Sequence, residues 1–250
     1  MRRILGGMPQ RSIRTDVIKG ALVLLMIFYH ACYIAVMFGL STIDLYHGFW
    51  WIFPRFIAAS FVTVSGWNLA GKRLRGGTFA DSAVRAARLG LVALVISAVT
   101  WPVFGTSFVF FGIIHLLALS SILAFPLLGR PALALALGAA CLAGGWVLGP
   151  MRFAWPWLAW LGLRPATLYP SDYLPLIPWF GFVAFGAAAR DISARANRVG
   201  PELSPGLRLR PAAPIRAVAA LGKNSLVVYL VHLPLLYGLG WAVHALIQRR

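Results

Sequence analysis

Long, uninterrupted apolar runs are the feature that most restricts the fold of this 250-residue chain. The run from Ala21 to Leu40 contains about 20 residues, which is enough for a helix to cross a bilayer. Seven such runs occur, at residues 17–39, 49–70, 84–104, 107–128, 131–149, 173–189 and 224–246. Because they are continuous rather than alternating, they predict helices and not the strands of a membrane β-barrel. We therefore expect an all-α, polytopic bundle of about seven membrane-spanning helices.

The composition agrees with a protein that resides in lipid. Hydrophobic residues make up 60% of the chain and charged residues 12%, whereas soluble domains average about 25% charged residues. The net charge of +17 would suggest nucleic acid as a partner of a soluble protein. In a membrane protein, basic residues instead collect in cytoplasmic loops. We expect the lipid bilayer as a partner and no nucleic acid, and one domain over 1–250 with a cytoplasmic tail at 1–15 and a cytoplasmic loop at 191–216.

Lysine and arginine residues are concentrated in every second connection between the runs, and this distribution predicts the topology. The N-terminal segment and the connections after the second, fourth and sixth runs contain most of the basic residues, while the opposite connections contain only Arg152 and Arg164. The basic side of a multi-pass protein faces the cytoplasm. We therefore expect a multi-pass protein of the plasma (inner) membrane, with a cytoplasmic N-terminus. An odd number of crossings places Arg249 and Arg250 outside.

Histidines lie inside several of these apolar runs. His30 lies in the first run, His115 in the fourth and His232 in the seventh, and His47 stands at the outer end before the second run. An ionisable residue at membrane depth is a functional candidate by default, and a buried neutral imidazole can act as a base. A hydrogen-bonded packing role stays open for each of them. The spacing of His and Cys does not follow a zinc pattern, so we expect no metal.

The few other charged residues within or beside the runs each allow two interpretations. Asp172 precedes two prolines at the start of the sixth run, and it either caps that helix or lines a pocket. Arg55, inside the second run, either reaches the interface or contacts an anion such as a carboxylate or a substrate phosphate. Lys19 follows Asp16 by one turn, which also suits a helix start with a local ion pair.

Three tryptophans lie within six residues of the loop before the sixth run: Trp155, Trp157 and Trp160. Tryptophan is enriched at membrane interfaces, which explains such a group without a ligand. The same rings can also provide a stacking surface for a sugar. Both interpretations stay open.

Four segments, taken in order, carry a resemblance to a known family. They are Asp16-x-x-Lys19-Gly20 followed by Met26-x-x-x-His30, Phe110-Phe111-Gly112-Ile113-Ile114-His115-Leu116, Asp172-Tyr173-x-Pro175-Leu176-x-Pro178-Trp179-Phe180-Gly181, and Asn224-Ser225-Leu226-x-x-Tyr229-Leu230-x-His232-x-Pro234. Over about residues 12–240 the chain resembles the heparan-α-glucosaminide N-acetyltransferase catalytic-domain family, within the wider transmembrane acyltransferases. The last segment resembles a pattern that those wider acyltransferases share.

The resemblance implies an enzyme that moves an acetyl group from acetyl-CoA, offered from the cytoplasm, to the amine or hydroxyl of a carbohydrate acceptor on the far side. It also implies a membrane-buried histidine near the non-cytoplasmic face. This chain is shorter than the lysosomal members, and His30 stands where those members carry an amide. Their catalytic histidine comes nearer to His47 in order. Which of His30 and His47 is the base therefore stays open.

Together, the residues and the resemblance lead to a set of predicted roles. Catalytic roles are predicted for His30, His115, Asp172 and His47. Binding of the acetyl-CoA is predicted for Lys19, Arg55, His232 and Asn224. Binding of the acceptor is predicted for Tyr29, Tyr173, Trp179 and Trp157. The alternative function is a proton-coupled small-molecule transporter that uses the same histidines as a relay, and a homodimer is left open.

Overall fold

The computed structural model describes residues 13–199 and 212–249, and most of these residues are helical. The helices are α1 (Ile13–Met37), α2 (Gly48–Leu74), α3 (Phe79–Phe104), α4 (Ile113–Leu123), α5 (Pro131–Leu148), α6 (Leu176–Val199), α7 (Ala213–Lys223) and α8 (Ser225–Gln248). Short 3₁₀ turns occur at Gly105–Ser107, Phe125–Leu127 and Pro156–Leu161. In these two described ranges the chain forms no β-strand, only an isolated bridge. The predicted all-α class is confirmed.

Five of the described helices are long and apolar enough to cross a membrane: α1, α2, α3 with the turn after it, α5 and α8. The predicted fourth run yields only α4, whose 11 residues extend about 17 Å, against a hydrocarbon core of about 30 Å. Helix α6 is long, but its C-terminal part carries Arg190, Asp191 and Arg195. A total of seven spans therefore stays a prediction.

The predicted cytoplasmic loop at 191–216 is helical at both of its ends. Helix α6 continues to Val199, and α7 begins at Ala213. Residues 200–211 of this loop, and residues 1–12 of the predicted tail, lie outside the described residues. The described chain divides into two compact units, the first containing residues 13–61 and 212–249 and the second residues 62–199. One domain over 1–250 stays a prediction.

In the first unit, α1 packs against α7 and then α8. A side chain at Gly20 would meet the Val218 carbonyl, and one at Gly222 would meet the Asp16 carbonyl, so this helix crossing requires glycine. Further along, the Phe38 ring lies 5.8 Å from the His244 ring. The His30 ring likewise lies 4.9 Å from the His232 ring, so the residue numbers of the contacts rise together along α1 and α8. The two helices run in the same direction, as the predicted topology requires.

In the second unit, α3 packs on α4 and α5 packs on α6. Helix α3 begins with a capping box, in which the Asp81 backbone N–H donates to Thr78 Oγ1 at 3.3 Å and the Asp81 carboxylate accepts from the Thr78 N–H at 2.8 Å. Helix α4 begins late because the segment before it is extended. Phe111 of that segment forms a parallel bridge with Tyr173, which precedes α6. This bridge brings two loops that are far apart in sequence to the start of α4.

Candidate active site

The strongest candidate site lies in the first unit, where His30 of α1 meets His232 of α8. The two ring centroids are 4.9 Å apart, and the ring planes make an angle of 69°. His232 is buried, with 4% of its surface exposed, and His30 is half-buried. Two imidazoles from helices at opposite ends of the chain thus form one edge-to-face pair, because α1 and α8 pack side by side.

The backbone of each helix fixes the tautomer of its histidine. His30 Nδ1 lies 2.9 Å from the Met26 carbonyl oxygen, and His232 Nδ1 lies 2.7 Å from the Tyr229 carbonyl oxygen. A carbonyl oxygen only accepts hydrogen bonds, so Nδ1 carries the proton in both rings and Nε2 holds the lone pair. Within the described chain, His232 Nε2 is buried without a hydrogen-bond partner. The pair can therefore accept a proton or a hydrogen bond from a ligand.

Aromatic side chains surround this histidine pair. Tyr29 lies 5.5 Å from the His30 ring and also contacts Trp50 and Phe53 at 6.5 and 6.2 Å between centroids. Tyr229 lies 5.8 Å from the His232 ring. Apolar ring faces beside basic nitrogens can hold a sugar ring by stacking while its polar groups meet the imidazoles.

Other residues predicted for the site have local roles in the first unit. The Arg55 guanidinium lies over the Trp51 ring at 3.8 Å and donates to the Trp51 carbonyl. Asn224 joins α7 to α8, and its Nδ2 donates to the Ala220 carbonyl at 3.0 Å. Lys19 is half-buried in α1. Their predicted contacts with acetyl-CoA stay predictions.

His47 is in an exposed position in the loop before α2. Its side chain is 84% exposed, and Nδ1 lies 2.7 Å from Asp44 Oδ2. The Tyr46 backbone N–H and the His47 ring both bond the Asp44 carboxylate and lower its pKa. His47 is therefore solvated, in contrast to the buried His232.

The second unit contains a different histidine site at the start of α4. The Gly112 N–H donates to His115 Nδ1 at 3.2 Å, so the proton of the neutral ring is on Nε2. Nε2 lies 3.1 Å from Ser97 Oγ on α3, and that hydroxyl donates to the Val109 carbonyl at 2.7 Å. Both ring nitrogens of His115 thus have protein partners. This ring joins α3 to α4.

Asp172, in the loop before α6, bonds to the start of α4. Its Oδ2 accepts from the Ile113 backbone N–H at 3.2 Å, which caps α4. The carboxylate also fills the space where a side chain at Gly112 would lie. The Leu174 N–H donates to the Phe111 carbonyl at 2.9 Å and fixes the two loops together. Capping, one of the two roles predicted for Asp172, is present, although at α4 rather than at α6.

Three of the four residues predicted to bind the acceptor, Tyr173, Trp179 and Trp157, belong to the second unit, whereas Tyr29 belongs to the first. The Tyr173 hydroxyl donates to the Ala159 carbonyl at 2.7 Å, and burial raises the pKa of Tyr173 to about 12. Tyr173 and Arg164 line a small cavity of about 140 Å³. Trp179 contacts Phe182 on α6, and Trp157 is largely exposed. Their contact with a substrate stays a prediction.

The predicted catalytic residues are divided between the two units. His30 and His47 belong to the first, and His115 and Asp172 belong to the second. Convergence of His30, His115 and Asp172 on one cavity therefore stays a prediction. The sequence did not identify Ser97 as the partner of His115, although a hydroxyl inside an apolar run is a signal of this kind. In the described parts of the chain, no three His, Cys, Asp or Glu side chains form a cluster suited to a metal ion.

A comparison with known proteins shows the family of this chain. The family model described as "Heparan-alpha-glucosaminide N-acetyltransferase, catalytic" matches residues 11–234, which is most of the chain. The match includes both members of the His30–His232 pair and the His115–Asp172 region, and it confirms the resemblance seen in the sequence. Searches of curated proteins and of solved structures gave no significant match.

Proposed function

Because the chain belongs to the heparan-alpha-glucosaminide N-acetyltransferase catalytic-domain family, we propose that it transfers an acetyl group from acetyl-CoA to an amine or hydroxyl of a sugar. The observation that carries this proposal is the His30–His232 pair. Both rings donate Nδ1–H to the backbone of their own helices, which leaves both Nε2 lone pairs for chemistry. The enzyme is a multi-pass protein of the plasma membrane with a cytoplasmic N-terminus.

In this proposal His30 is the general base and His232 supports it. His30 Nε2 takes the proton from the acceptor amine or hydroxyl while the acceptor atom attacks the thioester carbonyl carbon. The carbon–sulfur bond breaks, and the proton passes from the His30 imidazolium to the thiolate of CoA, so the products are the acetylated sugar and free CoA. A positioned base of this kind supplies about 10²–10⁴-fold of rate. The buried Nε2 of His232 accepts a hydrogen bond from the acceptor.

The surroundings of the pair support a carbohydrate acceptor. The ring of Tyr29 and its neighbours Trp50 and Phe53 offer apolar faces beside His30. Stacking on such faces orients a sugar without consuming the polar groups that react. We assign Tyr29 to the acceptor side of the site.

His115 and Asp172 are positioning residues in this proposal. Both His115 nitrogens bond to protein groups, and Asp172 caps the helix that carries His115. A ring with no free lone pair cannot act as a base unless these bonds break. Their contribution is to fix the start of α4 against α3.

The test is an acetyl-transfer assay on the purified full-length chain in proteoliposomes. Acetyl-CoA with a radiolabelled acetyl group is the donor, and glucosamine is the amine probe. We expect transfer by the wild type and a loss of about 10²-fold or more in His30→Gln. His244→Gln is the matched control, since His244 lies on α8 beside Phe38, away from the pair, and its replacement leaves the rate unchanged.

The same vesicles separate this function from the alternative. If the wild type takes up protons with a solute and does not consume the thioester, the proposal is wrong and the proton-coupled transporter replaces it. Full transfer activity in His30→Gln would exclude His30 as the base. Labelled acetyl that remains on the protein after a pulse without acceptor would instead make an imidazole the transient acetyl carrier.

A further inference from the structure

Arg85, an arginine inside the second unit, has no carboxylate partner among residues 13–199 and 212–249. Arg85 lies about 9 Å along the axis of α3 from its first residue, Phe79. Its Nη1 donates to Ser121 Oγ at 2.8 Å, and its Nη2 donates to Ser65 Oγ at 3.0 Å. Both serines are buried. The guanidinium is thus bonded to neutral hydroxyls from two other helices and keeps its charge uncompensated.

The described carboxylates of this unit form ion pairs or hydrogen bonds with groups other than Arg85. Asp81 pairs with Lys72 at 3.3 Å, and Asp191 accepts from the Gly129 N–H at 2.7 Å. Asp172 caps α4. For residues 62–199, no carboxylate forms an ion pair with Arg85. A counter-charge for this arginine has to come from outside the described chain.

Three other buried donors of this unit also have no hydrogen-bond partner among the residues that the structure describes. Asn68 follows Ser65 by one turn of α2, Ser120 precedes Ser121 on α4, and Arg190 lies over the Trp67 ring at 5.2 Å. Asn68 Nδ2, Ser120 Oγ and Arg190 Nε are buried and have no hydrogen-bond partner in the described part of the unit. All three atoms can donate a hydrogen bond. The described part of the unit therefore has buried donors without partners on α2 and α4, the helices that contribute Ser65 and Ser121, and on α6.

An uncompensated charge at this depth is costly, whereas an oxyanion would satisfy charge and donors together. The planar fork of arginine matches a phosphate group, and hydroxyl and amide donors complete such sites. The Ser121 hydroxyl donates to the Leu117 carbonyl at 2.6 Å, so it accepts from Arg85 and fixes the position of the guanidinium. We propose that Arg85, oriented by Ser65 and Ser121, binds a phosphate group through its remaining N–H donors. The site lies near the end of α3 that follows the basic connection containing Lys72, the predicted cytoplasmic side. This inference rests on the proposed function where the phosphate belongs to acetyl-CoA, and a lipid headgroup or free phosphate offers the same chemistry.

A kinetic comparison of two donors tests the acetyl-CoA source. Acetyl-pantetheine presents the same thioester without any phosphate. We expect Arg85→Gln to raise KM for acetyl-CoA about tenfold or more and to leave KM for acetyl-pantetheine unchanged. Arg88→Gln is the matched control, since Arg88 is exposed one turn further along α3, and it leaves both values unchanged. Equal losses with both donors would overturn the assignment to the CoA phosphates.

A binding measurement keeps this inference independent of catalysis. The melting temperature of the full chain in nanodiscs is recorded with CoA, with inorganic phosphate, and with phosphatidylglycerol in place of phosphatidylcholine. Stabilisation of the wild type by CoA that is absent in Arg85→Gln supports the CoA source, even if no acetyl transfer is detected. Loss of stabilisation only with phosphatidylglycerol assigns the site to a lipid headgroup, and loss only with inorganic phosphate assigns it to the free ion.

The ligand-free proteins decide between a binding and a structural role. Removal of an uncompensated charge should leave Arg85→Gln at least as stable as the wild type. If its melting temperature instead falls and no ligand distinguishes the two proteins, the phosphate site is wrong and Arg85 serves packing. If Arg85→Gln does not fold, Arg85→Lys replaces it, and we expect about tenfold weaker phosphate binding because the fork is lost while the charge remains.

Discussion

The two histidine sites of this chain differ in how the protein uses the ring nitrogens. At the His30–His232 pair, one nitrogen of each ring bonds to its own helix, and Nε2 is left with its lone pair. At His115, the Gly112 N–H occupies one nitrogen and Ser97 meets the other. Both sites lie in apolar segments of the same sequence pattern, so burial alone does not distinguish them. The hydrogen bonds of the ring nitrogens distinguish the two sites.

The comparison separates a reactive imidazole from a structural one. A base needs a lone pair that a substrate can reach, whereas a ring that joins two helices needs both nitrogens satisfied by protein. In the first arrangement, His232 Nε2 is buried without a hydrogen-bond partner among the described residues, which is costly and therefore indicates function. The second arrangement has no such cost.

The largest expected effect is the difference between His232→Gln and His115→Gln. Glutamine can donate and accept hydrogen bonds but cannot act as a base. We expect His232→Gln to lower kcat for acetyl transfer about 10²-fold, because the pair loses one basic nitrogen. His115→Gln should lower it by less than about tenfold, since an amide can replace both bonds. Equal losses would show that burial, and not the use of the ring nitrogens, decides which histidine matters.

Gly112→Ala tests how tightly the second site is packed. The new methyl group would occupy the space of the Asp172 carboxylate, so we expect a loss of about 1–3 kcal/mol in the free energy of unfolding, measured by denaturation in detergent. Gly90→Ala on α3 is the control, because a side chain there meets nothing within 4 Å. The loss should shrink in the Asp172→Ala background. An undiminished loss there would contradict the contact.

Asp172→Ala tests the cap itself. We expect a loss of about 1 kcal/mol in unfolding free energy, because the Ile113 N–H loses its acceptor. Asp172→Asn keeps an acceptor oxygen and should lose less than half as much. Acetyl transfer should follow stability in both variants. A large loss of kcat in Asp172→Asn, with the fold intact, would give the carboxylate charge a catalytic role.

The fold class was predictable because hydropathy reports contact with lipid directly. The family was predictable because four short segments keep their order along the chain. The length of α4 was not predictable from the sequence. The residues from Phe108 to Phe111 are as apolar as a helix core, yet they form an extended segment whose partner is Tyr173, about sixty residues later.

The candidate site was predictable only in part, for the same reason. His30 and His232 were each recognisable as imidazoles at depth, but their pairing depends on the packing of the first and last helices. The tautomer of each ring depends on a carbonyl one turn earlier, which the sequence pattern does not reveal. Asp172 had two predicted roles, and only the position of α4 shows which backbone N–H it bonds. Long-range contacts therefore carry the information that local patterns lack.

The smallest expected effect concerns His47, the exposed counterpart of the buried pair. The Tyr46 N–H and the His47 ring hold the pKa of Asp44 below its usual range, so the bonded carboxylate contributes stability above its unfolded pKa of about 4, and this contribution disappears as pH falls through the lower folded pKa. We expect Asp44→Asn to lower the melting temperature by at most about 1 °C at pH 7, and we expect this difference to shrink as the pH falls below about 4. Acetyl transfer should not change, because a solvated ring with a solvated partner offers no buried base. A loss of transfer in Asp44→Asn that tracks the loss in His47→Gln would move the base from His30 to His47 and reverse the comparison between buried and exposed imidazoles.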